Sequence, residues 1–244
     1  MMQKDNAPGN ESEEWGLEDP RVVWVPELDR WVITGTAYGR AGPGVFLATT
    51  RDFTTIEQHT MVKHPDDKNA ALLPHRIDGR WVLFHRPKTE FGGSRGQIML
   101  SRSPDLVGWS SPEQVLQPRD GAWWDSLRIG IGPPPMWTEH GWLLIYHGVK
   151  ETVSGELYRV GLALLDLDEP TRVLRRHADW ILAPRAPYER TGDVPNVVFP
   201  CGLAHEPESG ELRLYYGAAD TSICLATAQL GDLIDALMET PPAT

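Results

Sequence analysis

The sequence predicts an all-β fold arranged as a β-propeller. Three observations carry that reading. Short segments rich in Val, Ile, Trp, Thr and Phe recur along the chain, each about strand length and bounded by turn residues. One pattern, a turn followed by Trp or Leu and an apolar run, returns four times. Its copies start at Arg30, Arg80, Gly141 and Glu211, at intervals of 50, 61 and 70 residues. Only one convincing helix pattern appears, near the C-terminal end. Repetition at this scale, with up to four strands per copy, is the signature of propeller blades. A large sandwich would show such recurrence only by accident.

The elements follow in order. Residues 1–15 are charged, carry Pro8-Gly9, and are expected to form a mobile tail ahead of a single domain over 16–244. Asn10-Glu11-Ser12 matches a glycosylation sequon, but no apolar signal core accompanies it. The first cycle predicts strands over 21–25, 30–37, 44–50 and 56–62. The second predicts 70–77, 80–85, 97–101 and 113–116, and the third 135–138, 142–148, 158–166 and 172–176. The fourth has only 197–204, 211–217 and 222–228. A helix over 230–238 then places Leu230, Ile234, Leu237 and Met238 on one face, where a last strand is expected. The array therefore lacks a closing strand, and an open sheet edge invites association. Either four blades close tightly, another chain covers the edge, or the chain lacks a piece.

Composition excludes several classes. Lys and Arg number 23 against 34 Asp and Glu, a net charge of −11, which argues against a nucleic-acid partner that needs a basic stripe. A hydrophobic content of 41% is ample for a core and excludes wholesale disorder. Cys201 and Cys224 are too few for a disulfide framework or a four-thiolate zinc site. No apolar run reaches the roughly 18 residues of a membrane span. The expected setting is the cytoplasm, with no membrane partner.

Familiar catalytic motifs are weak here. Gly92-Gly93-Ser94-Arg95-Gly96 fits G-x-S-x-G, but it lies between two predicted antiparallel strands and reads as a hairpin loop rather than a nucleophile elbow. The eight histidines include no HExxH, and His59 and His64 share no helix face, so no metal site is expected. There is no Walker lysine loop and no dinucleotide fingerprint. Instead, polar groups recur at one phase of the cycles, where strands meet loops: Asp19, Asn69, Arg86, Asp125, Arg128, His147, Tyr158, Asp193 and Asp220. Inner strands of a propeller converge on one funnel, so these groups are expected in one pocket. Carboxylates, Asn and His suit sugar hydroxyls, and Asn69, Asp125, Asp193 and Asp220 are candidate sugar-binding residues. Each has a plainer alternative. Asp19 before Pro20 would cap a turn, Arg86 and Arg128 would form ion pairs between blades, and His147 would be a core histidine.

Several blocks then become recognisable. Trp15-Gly16-Leu17-Glu18-Asp19-Pro20-Arg21, Asp67-Lys68-Asn69-Ala70, His85-Arg86-Pro87, Ile129-Gly130, Tyr146-His147-Gly148, Tyr158-Arg159-Val160-Gly161, Gly192-Asp193-Val194-Pro195-Asn196 and Tyr216-Gly217-Ala218-Ala219-Asp220 stand in order along the chain. Together they resemble glycoside hydrolase family 130, the β-mannoside phosphorylases with a smaller set of β-mannosidases. The resemblance implies a five-bladed propeller, here about four blades with the N-terminal one missing. It implies mannosyl transfer to inorganic phosphate with inversion, giving α-mannose 1-phosphate. Asp19 would be the catalytic acid, its proton relayed through the mannosyl 3-hydroxyl. Arg86, His147 and Tyr158 match phosphate-contacting positions, and Arg128 stands where the family often has lysine. Asp220 matches a residue that holds the sugar hydroxyls. Phosphate is a co-substrate, and no metal or organic cofactor is implied. Expected partners are a β-mannosyl oligosaccharide or disaccharide, phosphate and copies of the chain itself. The rivals are a β-mannosidase, and an inactive propeller kept as a sugar-binding or assembly module.

Overall fold

The computed structural model describes residues 11–87 and 95–243. Asn10 of the sequon and Gly92–Ser94 of the G-x-S-x-G loop lie outside them. Strands β1 (Gly16–Val25), β2 (Arg30–Gly39), β3 (Gly42–Thr50) and β4 (Gln58–Lys63) pair in that order as a first antiparallel sheet. A second holds β5 (Asp67–Leu72), β6 (Trp81–Pro87), β7 (Ile98–Ser103) and β8 (Glu113–Leu116). The third contains β9 (Arg128–Ile131), β10 (Met136–Thr138), β11 (Gly141–Thr152), β12 (Gly155–Leu165) and β13 (Val173–Arg176). The fourth has β14 (Val198–Glu206), β15 (Glu211–Ala218) and β16 (Ser222–Gln229). These are four blades in a propeller arrangement, as the repeat predicts. Two helices accompany them, α1 (Pro187–Arg190) and α2 (Leu230–Glu239).

Alternation along the strands explains the packing. A middle strand such as Trp81-Val82-Leu83-Phe84 is apolar at every position because both its faces are covered. Trp81 and Leu83 join Val25, Val32 and Leu47 of the first blade, while Phe84 joins Ile129, Ile131 and Tyr146 of the third. Leu143, Ile145 and Leu162 of the third blade meet Val198 and Leu214 of the fourth. Each such buried side chain contributes roughly 1.5–3 kcal/mol. The first and fourth blades meet chiefly along β1 and β14, with no shared core between their outer strands among the described residues.

Three sequence expectations change. The inner edge of the third blade is two strands, not one: β9 pairs with the far half of β11 and β10 with the near half. Pro133-Pro134-Pro135 separate them, because proline has no N–H for the ladder. Helix α2 does not replace a strand but packs on β12, β13 and β16, where Ile234 and Leu237 are buried and Met238 faces solvent. Residues 11–15 are packed rather than trailing. Glu11–Glu13 form a 3-10 turn against β2 and β3, Glu13 pairs with His59 at 2.8 Å, and Glu14 pairs with Arg40 at 2.8 Å.

Candidate active site

A repeated backbone device builds the site. The inner strands β1 and β5 each carry a bulge: pairing with the next strand jumps from Glu18 to Arg21 and from Lys68 to Ala71. Inside the bulges, Asp19 and Asn69 adopt φ of 54° and 53°. Asp and Asn tolerate this left-handed conformation better than most residues, and a bulge re-aims a side chain away from its ladder position. Asn196, Ala219 and Asp220 at the fourth blade share positive φ. Non-glycine residues held this way cost energy and cluster where a site needs them.

Arg86 of β6 and His147 of β11 meet at the centre, with Nη1 3.3 Å from Nε2. Gly130 makes room for His147 and Asn69. A Cβ there would lie 2.5 Å from His147 Cε1 and 2.7 Å from Asn69 Nδ2. Burial together with the charges of Arg86, Arg21 and Arg128 holds the His147 pKa well below its usual value. The imidazole is therefore neutral at pH 7 and acts as a hydrogen-bonding group, not as a cation. Because Arg86 donates to Nε2, the ring proton sits on Nδ1. That Nδ1 and Asn69 Nδ2 are buried without a partner.

Arg86 itself is buried, and no carboxylate forms an ion pair with it among the described residues. Burial and the neighbouring Arg128 guanidinium push its pKa down to about 10, which leaves it charged at neutral pH. Arg128 lies on β9 beside it. It donates to both carboxylate oxygens of Glu156 and, at 2.7 Å, to the Tyr158 hydroxyl. Burial opposes its charge, but these hydrogen bonds outweigh burial and raise its pKa. Tyr158 and Phe199 flank the His147 ring at 5.9 and 4.7 Å between centroids. Arg21, fully buried, reaches across from β1 to donate to the carbonyls of Gly132 and Ile131. Its Nη1 also stands 3.9 Å from Asp19 Oδ2.

Carboxylates gather on the other side. Burial and the charges of Asp19 and Asp193 raise the pKa of Asp220. Burial raises that of Glu18, with Asp19 and Asp220 adding and Lys68 opposing. Asp193 sits on the loop that follows Glu189 of α1, and its N–H donates to Thr221 Oγ1 at 3.1 Å. The buried Glu189 carboxylate accepts from the N–H groups of Arg185 and Ala186 and from the Tyr216 hydroxyl.

The structure thus brings Asp19, Arg86, Arg128, His147, Tyr158, Asn69, Asp193 and Asp220 around one centre. Asp125 is tied elsewhere. It has no solvent exposure, and its Oδ2 accepts from Arg176 at 2.7 Å and from the Tyr146 hydroxyl at 2.9 Å, inside the seam between the second and third blades. Its phase along the chain fits the funnel, but it lies in the turn before β9 and its side chain enters the seam. Three residues escaped the sequence reading: Tyr38, Glu156 and Phe199. Lys68 donates to the Tyr38 hydroxyl at 3.2 Å beside Glu18 and Asp19, Glu156 clamps Arg128, and Phe199 packs at a tilt against His147. Tyr38 had a usable signal: it stands next to last in the second strand of its cycle, the place Arg86 takes in β6.

Comparison with known proteins identifies the family. The sequence model of glycoside hydrolase family 130, described as beta-1,4-mannooligosaccharide phosphorylase, matches residues 2–239. A beta-1,4-mannooligosaccharide phosphorylase of Ruminococcus albus is 38% identical over 226 residues, 92% of this chain and 66% of that protein. A beta-1,2-mannobiose phosphorylase of Listeria innocua is 36% identical over 230 residues, 94% of this chain and 62% of that one. A solved structure of beta-1,2-mannobiose phosphorylase from Listeria innocua in complex with beta-1,2-mannobiose superposes with a TM-score of 0.85 at 35% identity, covering 95% of this chain and 63% of that chain. The chain spans a little under two thirds of the length of these relatives. Its blocks, its propeller and its family match agree, and the chain belongs to glycoside hydrolase family 130.

Proposed function

We propose that this chain carries the centre of an inverting phosphorylase that cleaves β-mannosides with inorganic phosphate and releases α-mannose 1-phosphate. One observation carries the reading: Arg86 is a buried guanidinium with no carboxylate paired to it among the described residues, beside Arg128 and the unpartnered Nδ1–H of His147. A buried charge needs a counter-charge, and unsatisfied buried donors need an acceptor. A phosphate ion supplies both. It is already a nucleophile, so attack on the anomeric carbon needs no second carboxylate as base, unlike inverting hydrolysis. Cationic and neutral donors need only hold it in line. Asp19 protonates the departing side, while Asn69, Asp193 and Asp220 accept and donate to sugar hydroxyls. The named activities of the relatives support β-mannosides as the substrate class. The reading calls for no metal or organic cofactor.

The test is release of mannose 1-phosphate from β-1,4-mannobiose, β-1,2-mannobiose and mannosyl-glucose, with and without phosphate. Phosphate-dependent product is expected, falling by about 100-fold or more in Asp19→Asn. Free mannose released at the same rate with and without phosphate, and no mannose 1-phosphate, would establish a hydrolase instead. Sugar binding by calorimetry without turnover would establish a binding module.

We further propose a homo-oligomer in the cytoplasm, without nucleic-acid or membrane partners. The apolar outer face of the fourth blade supports association, and two unpaired cysteines fit a reducing compartment. The net charge of −11 disfavours a polyanionic partner, and no helix among the described residues is long and apolar enough to cross a membrane.

A further inference from the structure

The clamp on Arg128 is at odds with an anion site that must stay open. Arg128 and Tyr158 both stand opposite Val149 of β11, on its two sides. Glu156 lies two residues before Tyr158 on β12, so alternation puts both on one face. The Glu156 carboxylate takes the edge formed by Nη1 and Nη2 of Arg128, the fork that best fits a pair of phosphate oxygens. It is the only acid paired with any guanidinium of the Arg86, Arg128 and His147 group among the described residues.

Arg128 does not need Glu156 to hold its place. Its Nη2 also donates to the Tyr158 hydroxyl, and its guanidinium lies over the Tyr158 ring, 5.5 Å from the centroid. Glu156, by contrast, is 40% exposed at the side chain and sits beside the β11–β12 hairpin, free to turn into water. A phosphate dianion on Arg86 and Arg128 would meet this carboxylate at contact distance, and like charges there repel. One of the two anions must leave.

We propose that Glu156 is a phosphate-mimicking latch, which occupies the Arg128 fork in the empty enzyme and is displaced when inorganic phosphate binds. The inference rests on the phosphate-site reading of Arg86 above. Its consequence is that the latch sets phosphate affinity, since binding must break the Glu156–Arg128 pair. An exposed pair of this kind is weak, so removing the carboxylate should tighten phosphate by about two- to fivefold.

Calorimetric titration with inorganic phosphate tests this in the wild type, Glu156→Gln, Glu156→Ala and Arg86→Met, with circular dichroism as the check on folding. Tighter phosphate in both Glu156 variants, and a phosphate KM lowered in parallel, is the expected result. Phosphate binding detectable only in the Glu156 variants also supports the latch. Weaker binding in them would mean that Glu156 positions Arg128, which overturns the proposal. If the wild type binds phosphate, Arg86→Met loses it and both Glu156 variants match the wild type, the latch falls and the phosphate site stands. If no protein binds phosphate, both fall together.

Discussion

Gly130 shows how little space one residue controls in this site. Its missing side chain is what lets His147 and Asn69 approach over the inner strand of the third blade. A methyl group there would push against a ring already held between Tyr158 and Phe199, and against an amide in a left-handed bulge. Neither neighbour is the free end of a flexible chain. Gly130→Ala is therefore expected to displace His147 Nδ1 and Asn69 Nδ2 while leaving the blade cores intact. Phosphorolysis should fall by about 100-fold, the loss that a misplacement of about 1 Å brings, with the thermal midpoint nearly unchanged. A variant with near wild-type turnover would show that these two donors do not act together. Much at this scale was legible beforehand. Asp19, Asn69, Arg86, His147 and Asp220 recur at one phase of the cycles, and phase is what a propeller turns into proximity. Glu156 and Phe199 were not legible, because their partners lie on other strands or other blades. Asp125 misled for a related reason: phase places a residue along the chain, but where a turn side chain points is decided by packing, here by Arg176 and Tyr146.

Between elements, the most informative contact is a buried polar chain across the first two blades. His85 Nδ1 donates to Asp67 Oδ2 at 2.6 Å, its Nε2 faces Ser101 Oγ at 3.0 Å, and Lys63 of β4 donates to that hydroxyl at 2.7 Å. The order Asp, His, Ser resembles a hydrolase triad, yet Ser101 has no solvent exposure and no substrate can reach it. The chain instead ties β4 to β5, β6 and β7, and it holds the strand on which Arg86 directly follows His85. Removing the imidazole leaves the Asp67 carboxylate buried and uncompensated. His85→Phe is expected to destabilise the fold by about 3–5 kcal/mol, read as a shift of the urea unfolding midpoint. A loss below about 1 kcal/mol would mean that water already satisfies Asp67. Element boundaries were clearest where turn residues flank an alternating strand, as in the 211–217 segment, where β15 spans Glu211–Ala218. They failed at β1, whose first five residues carry Glu18, Asp19 and Pro20, and at β9, where glycines interrupt the pattern. Those are the segments that line the site, and their polar or small residues serve the centre rather than the ladder.

For the whole molecule, the unequal seams decide how the protein behaves in solution. Three seams between blades hold a continuous apolar core, whereas the first and fourth blades touch chiefly at their inner strands. On the side of the fourth blade away from the third, Tyr215, Ile223 and Leu225 project outward, and Ile223 is 89% exposed. Tyr215 stands directly opposite Leu225, and Gly217 opposite Ile223, so these residues form one face of the sheet. The first blade presents Val22, Trp24 and Phe53 as exposed apolar groups, with Trp31 packed 5.4 Å from both Trp24 and Phe53. Exposed aliphatic and aromatic surface on a sheet is a ready interface, and aromatic groups are enriched where binding energy concentrates. Burying Ile223 and Leu225 alone would contribute roughly 1.5–3 kcal/mol each. The purified chain is therefore expected to associate through this face, and the double substitution Ile223→Lys, Leu225→Lys should return it to a monomer. Light scattering during size-exclusion chromatography reads the mass directly. Two lysines on a surface strand leave the three cores untouched, so circular dichroism and melting should change little. If association persists in the double variant, the contact lies elsewhere on the molecule. A wild-type chain that runs as a stable monomer at every concentration would mean that the outer face of the fourth blade tolerates water.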